Sequence, residues 1–131
     1  VLRAWTVADA GRAINRKSVE GQLEGAFVQG LGFALTEEMV WDGARLANPT
    51  LMDYKVPTSR DAPYEIHSHI VEHPEPDGPF GAKGVGEIGI NVVAAAIANA
   101  VADATGVRIR QLPMTPERIL RAMLEQERAY A

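Results

Sequence analysis

The stretch GAKGVGEIGIN, residues 81–91, decides between two folds. Gly84-Val85-Gly86-Glu87-Ile88-Gly89 spells G-x-G-x-x-G, which in the right context opens a dinucleotide-binding βαβ unit. That context is a buried strand before the glycines and an acid at the end of the next strand. Here PEPDGPFGAK precedes them, and its three prolines cannot sit in a buried sheet. No acid follows VRIRQLP (107–113) where the ribose would need one. It is not a phosphate-binding P-loop either, because Lys83 lacks the Ser or Thr that should follow it. What remains is a glycine-rich loop whose main chain can approach a ligand closely. The loop runs into an alanine-rich segment and carries one carboxylate, Glu87.

Outward from this loop the pattern is strand, helix, extended pieces, strand, helix, strand, helix. VLRAWTV at the start reads as a strand, ended by the turn ADAG. A helix is expected from about Val19 to Met39 with Ser18 as its cap. WDGARL and NPTLMDYKVPTSRDAP are turn-rich, and YEIHSHIVEH alternates like a strand. A second helix should run from about Ile88 to Thr105, closed by Gly106. VRIRQLP reads as a strand. Thr115 caps a last helix that has Pro116 at its first position and Glu117 in its first turn. The expected fold is α+β, with helices packed on a mixed β-sheet over one domain, residues 1–131.

The composition narrows the functional classes. A net charge of −4 speaks against a nucleic-acid footprint. With no cysteine, the chain offers no disulfide, thiolate metal site or iron–sulfur ligand. No run reaches the ~18 apolar residues of a membrane span. A cytoplasmic protein is the expectation. Because the chain opens on Val1, inside a strand-like pattern, a fragment or split subunit is expected.

The first helix is unusually rich in glycine: Gly21, Gly25, Gly30 and Gly32. Each interior glycine costs roughly 1 kcal/mol against alanine. Gln22 and Gln29 are seven apart and share a face, with Gly25, Ala26 and Gly32 on or near it. Such a strip either packs closely on another helix or receives a polar ligand between two amides that can donate and accept. Glu87 has two readings as well. It is a first-turn acid satisfying a helix N-terminus, or, if desolvated, a general base beside an anion site.

VEGQLEGAFVQGLGFALTEEM, LMDYKVP, GPFGAKGVGEIG and PMTPERIL occur in this order. Together they resemble the C-terminal part of the molybdenum-binding (molybdopterin) subunit of the xanthine dehydrogenase and aldehyde oxidoreductase family. The resemblance runs from about Val1 to Met123 and implies a molybdenum hydroxylase. Such an enzyme oxidises an electron-poor carbon of an aldehyde, purine or N-heterocycle with oxygen from water. It implies that Glu87 takes the proton from the metal-bound hydroxide. It places Gln22 beside the pterin and metal, Gln29 in the cofactor shell, and Lys83, Gly84, Val85 and Gly86 against the cofactor. It further implies molybdopterin, in plain or cytosine dinucleotide form, with 2Fe-2S and FAD on partner domains or subunits. One departure is Arg16 after Asn15, where many relatives have proline. The upstream segments that would orient the substrate are absent, so the chain alone is expected to be inactive. The other readings kept open are a non-catalytic assembly module of the same fold and, remotely, a dinucleotide-binding turn.

Other features read more simply. His67, His69 and His73 alternate as a solvated strand face more readily than as a zinc triad. Arg108 and Arg110 read as an exposed face. Trp5, Trp41, Phe27, Phe33 and Phe80 read as core or subunit contacts, with Phe80 closest to the glycine loop. The second helix is apolar nearly all round, which implies cover from outside this chain and self-association without it.

Overall fold

The computed structural model describes residues 1–130. The elements are β1 (Arg3–Asp9), α1 (Arg16–Leu35), β2 (Trp41–Asp42), β3 (Arg45–Leu46), β4 (Glu65–Val71), a 3-10 turn (Pro79–Gly81), α2 (Val93–Thr105) and α3 (Pro116–Tyr130). The fold is α+β with both parallel and antiparallel strand pairs: β1 pairs with β4 in parallel, and β2 with β3 as a small hairpin. The chain divides into two compact units, residues 1–30 with 58–92, and residues 31–57 with those from Val93 onward.

In the first unit the β1–β4 register runs from Arg3 opposite Glu65 to Asp9 opposite Val71. Parallel strands need a long crossover, and α1 lies within it. Across the pair Thr6 Oγ1 donates to Ser68 Oγ at 3.0 Å, and Trp5 stacks on His67 with centroids 5.6 Å apart. The core is Ala10, Val19, Leu23 and Ile70, with Ala8, Ala13, Val85 and Ile88 packed against it. Val19 and Leu23 are one helical turn apart, so the buried stripe of α1 is legible in its spacing.

The helix begins at Arg16, earlier than expected, and its cap is Asn15, not Ser18. Asn15 Oδ1 accepts the Ser18 N–H at 3.1 Å, the bond an N-cap makes to the third helical residue. Asn15 reaches the free amides first, so Ser18 falls inside the helix. The helix ends at Leu35, short of Met39, where the Thr36 and Glu37 N–H groups both bond the Gly32 carbonyl and close the last turn.

In the second unit, Glu37 Oε2 accepts the Tyr54 hydroxyl at 2.7 Å, and this bond raises the Tyr54 pKa. Glu38 pairs with Arg118 at 2.6 Å, while Arg118 Nη1 also donates to the Pro113 carbonyl. Met114 is fully buried, and its N–H donates to the Ala34 carbonyl. Gly106, at φ +76, closes α2 with its N–H on the Ala102 carbonyl, as expected of a C-terminal glycine. Thr115 caps α3 through the Arg118 N–H at 3.4 Å.

Two expectations in this region are corrected. Residues 107–113 form no strand: Val107 is buried between exposed neighbours, so the alternation is real, but no ladder partner lies beside it among the described residues. And α2 starts at Val93, not Ile88; residues 86–92 form a run of turns. Along α2 only Val93 and Ile97 are buried, leaving Ala95, Ala96, Ala100 and Ala104 exposed. No helix among the described residues is long and apolar enough to cross a membrane.

Candidate functional site

The glycines sort into two kinds, and the sorting locates the site. Some are required by packing within the chain. A Cβ on Gly89 would come within 2.7 Å of the Ala26 Cβ and 3.4 Å of the Leu23 Cα. A Cβ on Gly11, at φ +63, would come within 2.9 Å of the Lys83 nitrogen. Others have no such reason. At Gly21, Gly25, Gly84 and Gly86 a Cβ would meet nothing within 4 Å. Two of these lie on α1 and two in the loop, and the Gly89 contact joins loop to helix at Leu23 and Ala26.

Gln22, Gly25 and Gln29 are exposed, while Leu23, Ala26 and Phe27 are buried. The predicted amide-bearing strip is therefore present, with one adjustment. Ala26 and Gly32 do not belong to it: Ala26 supports Gly89, and the Cβ position of Gly32 is filled by Glu37. The open strip is Gly21, Gln22, Gly25 and Gln29.

In the loop, the Lys83 N–H donates to the Ala10 carbonyl at 3.0 Å, and Val85 packs on the core. Gly84, Gly86 and Glu87 are exposed. The Glu87 side chain makes no hydrogen bond among the described residues. Its carbonyl accepts the Ile90 N–H at 3.4 Å, which sets the first of the turns. Because α2 begins at Val93, Glu87 is not in a helix first turn, and neither the capping reading nor a helix-dipole anion site applies to it. The loop follows a 3-10 turn and an isolated bridge, so the strand–turn–helix frame of a dinucleotide site is missing too.

Lys83 does not point freely at the open side. Its Nζ donates to Asp9 Oδ2 at 2.6 Å. Asp9 Oδ1 also accepts the Gly11 N–H at 2.8 Å and the His73 N–H at 3.2 Å. The Lys83 bond first, then these amides, hold the Asp9 pKa at about 2, below its ordinary 3.8. Sequence reasoning missed Asp9. The Asp-x-Gly turn was a visible sign of the Gly11 bond, but the Lys83 partner is 74 residues away.

The remaining candidates separate from the site. His67 bonds Glu65 and stacks on Trp5, and all three histidines are exposed. No group of three or more His, Cys, Asp or Glu among the described residues is placed to hold a metal. Of Trp5, Trp41, Phe27, Phe33 and Phe80, Phe27 is buried and the others are exposed. Phe80 is 83% exposed at φ +55, beside Arg12, Ala13 and Ile14.

Glycines left bare inside a helix, and again in the loop touching it, fit a flat group lying against main chain. Known proteins agree in class: the family model of the molybdopterin cofactor-binding domain matches residues 1–63. That stretch includes Asp9, Gln22 and Gln29 and stops before the Lys83–Glu87 loop. The chain is 46% identical over 121 residues to a xanthine dehydrogenase molybdenum-binding subunit of Escherichia coli O157:H7, covering 91% of this chain and 16% of that protein. It is 43% identical over 117 residues to an aldehyde oxidoreductase of Megalodesulfovibrio gigas, covering 89% of this chain and 13% of the relative. The solved quinoline 2-oxidoreductase of Pseudomonas putida 86 superposes with a TM-score of 0.85 at 40% identity, over 92% of this chain and 16% of that one. The chain belongs to the xanthine dehydrogenase and aldehyde oxidoreductase family, as a segment of its molybdenum-binding subunit. It spans between about an eighth and a sixth of the length of these relatives.

Proposed function

We propose that this chain forms one wall of the active site of a molybdenum hydroxylase, with Glu87 as its general base. The observation that carries the reading is the pairing of bare glycines. Gly21 and Gly25 on the helix, and Gly84 and Gly86 on the loop, leave open main chain on either side of one contact. A flat cofactor would use such a surface, because main chain without side chains lets it approach closely, and the loop glycines would also offer N–H groups that the helix glycines use within α1. The cofactor would be molybdopterin, in plain or cytosine dinucleotide form, and when bound it supplies a two-electron oxidant for the substrate C–H.

The chain's own residues then divide the work. Gln22 and Gln29 present side-chain amides that donate to and accept from the cofactor edge. Gly84, Val85 and Gly86 bring up main-chain N–H groups. The Glu87 carboxylate takes the proton from the water-derived oxygen as that oxygen attacks an electron-poor carbon. A carbonyl or ring carbon beside nitrogen is such a centre, so the substrate class is an aldehyde, purine or N-heterocycle. This agrees with the names of the relatives. Any 2Fe-2S and FAD groups that carry the electrons away would sit on partner domains or subunits, because this chain has no cysteine to hold a cluster. The chain alone does not turn over.

The exposure of Glu87 favours one competing reading, a non-catalytic assembly module that keeps the fold. Changing Glu87 to Gln in the assembled enzyme separates the two. General-base catalysis contributes about 10²–10⁴-fold, so kcat should fall by that order while molybdenum content stays constant. Unchanged turnover would establish the assembly reading instead.

A further inference from the structure

Glu87 is aimed by two anchors. On its C-terminal side, Gly89 is seated on Leu23 and Ala26 of α1. On its N-terminal side the last point tied to the rest of the chain by hydrogen bonds is Lys83. Its N–H binds the Ala10 carbonyl, and its Nζ binds Asp9. Between Lys83 and Glu87 no backbone hydrogen bond joins the loop to another segment among the described residues. Only Val85 packs inward there, and a side chain on Gly84 or Gly86 would meet nothing.

The Asp9 end of this anchor is itself fixed. Asp9 is the last residue of β1, and its other oxygen accepts the Gly11 and His73 amides. The chain then turns through Gly11, which bridges Ala82, and the Arg12 N–H binds the Gly81 carbonyl at 2.7 Å. A cation on residue 83 and an anion on residue 9 therefore clamp the start of the loop to the end of the strand.

Resting on the hydroxylase reading above, we propose that Asp9 and Lys83 are a positioning pair for Glu87. Lys83 acts through Asp9 and makes no cofactor contact of its own. An error of about 1 Å in a reacting group can cost about 10²-fold in rate, and losing the clamp frees the loop at the point where such an error begins.

The test is a set of variants in the assembled enzyme: Lys83→Met, Lys83→Arg, Asp9→Asn, the Asp9→Asn/Lys83→Met double variant, and Glu87→Gln as control. The proposal expects Lys83→Met and Asp9→Asn each to lower kcat by about 10²-fold, with KM and molybdenum content unchanged. Because both act through one bond, the double variant should be no slower than the worse single one. Lys83→Arg keeps a cation within reach of Asp9 and should retain most of the rate. If Lys83→Met loses molybdenum while Asp9→Asn keeps it, Lys83 contacts the cofactor directly and the proposal fails. Wild-type rates in both single variants, with Glu87→Gln inactive, would overturn the pair but leave the base in place. An active Glu87→Gln would overturn the reading of Glu87 as base, on which the pair rests. Should Lys83→Met fail to fold, Asp9→Asn and Lys83→Arg decide: a slow Asp9→Asn beside a fast Lys83→Arg supports the pair, and any other order refutes it.

Discussion

Gly25→Ala and Gly89→Ala should move stability in opposite directions, although both replace a glycine with the same methyl group. Gly25 lies inside α1, and a Cβ there meets nothing within 4 Å. The substitution removes a helix penalty of up to about 1 kcal/mol and adds no clash. For a chain of 131 residues, a gain of that size raises Tm by about 3–5 °C. Gly89 has no such room. Its new Cβ would sit 2.7 Å from the Ala26 Cβ, an atom fixed to helix backbone that has no rotamer to escape into. Overpacking of this kind costs about 1–3 kcal/mol, so Tm should fall. Thermal unfolding followed by circular dichroism on the 131-residue chain reads both signs. The functional half comes from the assembled enzyme, where the Gly25 methyl intrudes on the surface assigned to the cofactor. Each 1.4 kcal/mol of steric penalty there weakens binding about tenfold, so molybdenum content should drop in a variant that is more stable as a chain. A destabilised Gly25→Ala chain would mean that the strip is packed internally. A stabilised chain with full molybdenum would mean that the cofactor lies elsewhere.

Asp9 makes acid stability a second readout. Its folded pKa of about 2 lies below the ordinary 3.8, so its contribution is fully present above about pH 4 and disappears as pH falls toward 2. Asp9→Asn should flatten the stability profile in that window only; an unchanged profile would show that the Lys83 bond is not formed in solution. Asn15→Ala removes the acceptor for the Ser18 N–H and should cost about 0.5–2 kcal/mol. Ser18→Ala should cost nothing comparable, and the reverse order in chemical denaturation would restore Ser18 as the cap.

What was legible in the sequence was local. β1 and β4 alternate, Thr115 and Pro116 open α3, and Gly106 closes α2 by chemistry confined to a few neighbouring residues. The face shared by Gln22 and Gln29 follows from helical period alone, and the structure leaves both exposed on one side of α1. The misreadings have non-local causes. Ile88 to Val92 looks helical until Gly89 has to seat on Ala26, more than sixty residues earlier in the chain. VRIRQLP alternates like a strand but has no partner strand to pair with. The Asp9–Lys83 bond joins the two ends of the first unit, so no window of sequence contains it.

The same division applies to Glu87. A general base needs aim and it needs strength. In the proposed role, the aim would come from Lys83, held by Asp9 on one side, and from Gly89, held by Leu23 and Ala26 on the other. Strength is a matter of removing water, and here the carboxylate is exposed. The glycines flanking it have the same character, bare and unfilled by this chain. One covering group would account for both. A cofactor laid across Gly21, Gly25, Gly84 and Gly86 would shed water from that bare main chain and from the carboxylate beside it. Loading the cofactor should therefore protect the backbone amides of residues 84–87 from hydrogen exchange together with those around Gln22. Protection of the helix strip alone would separate the loop from the cofactor and take Glu87 out of the chemistry.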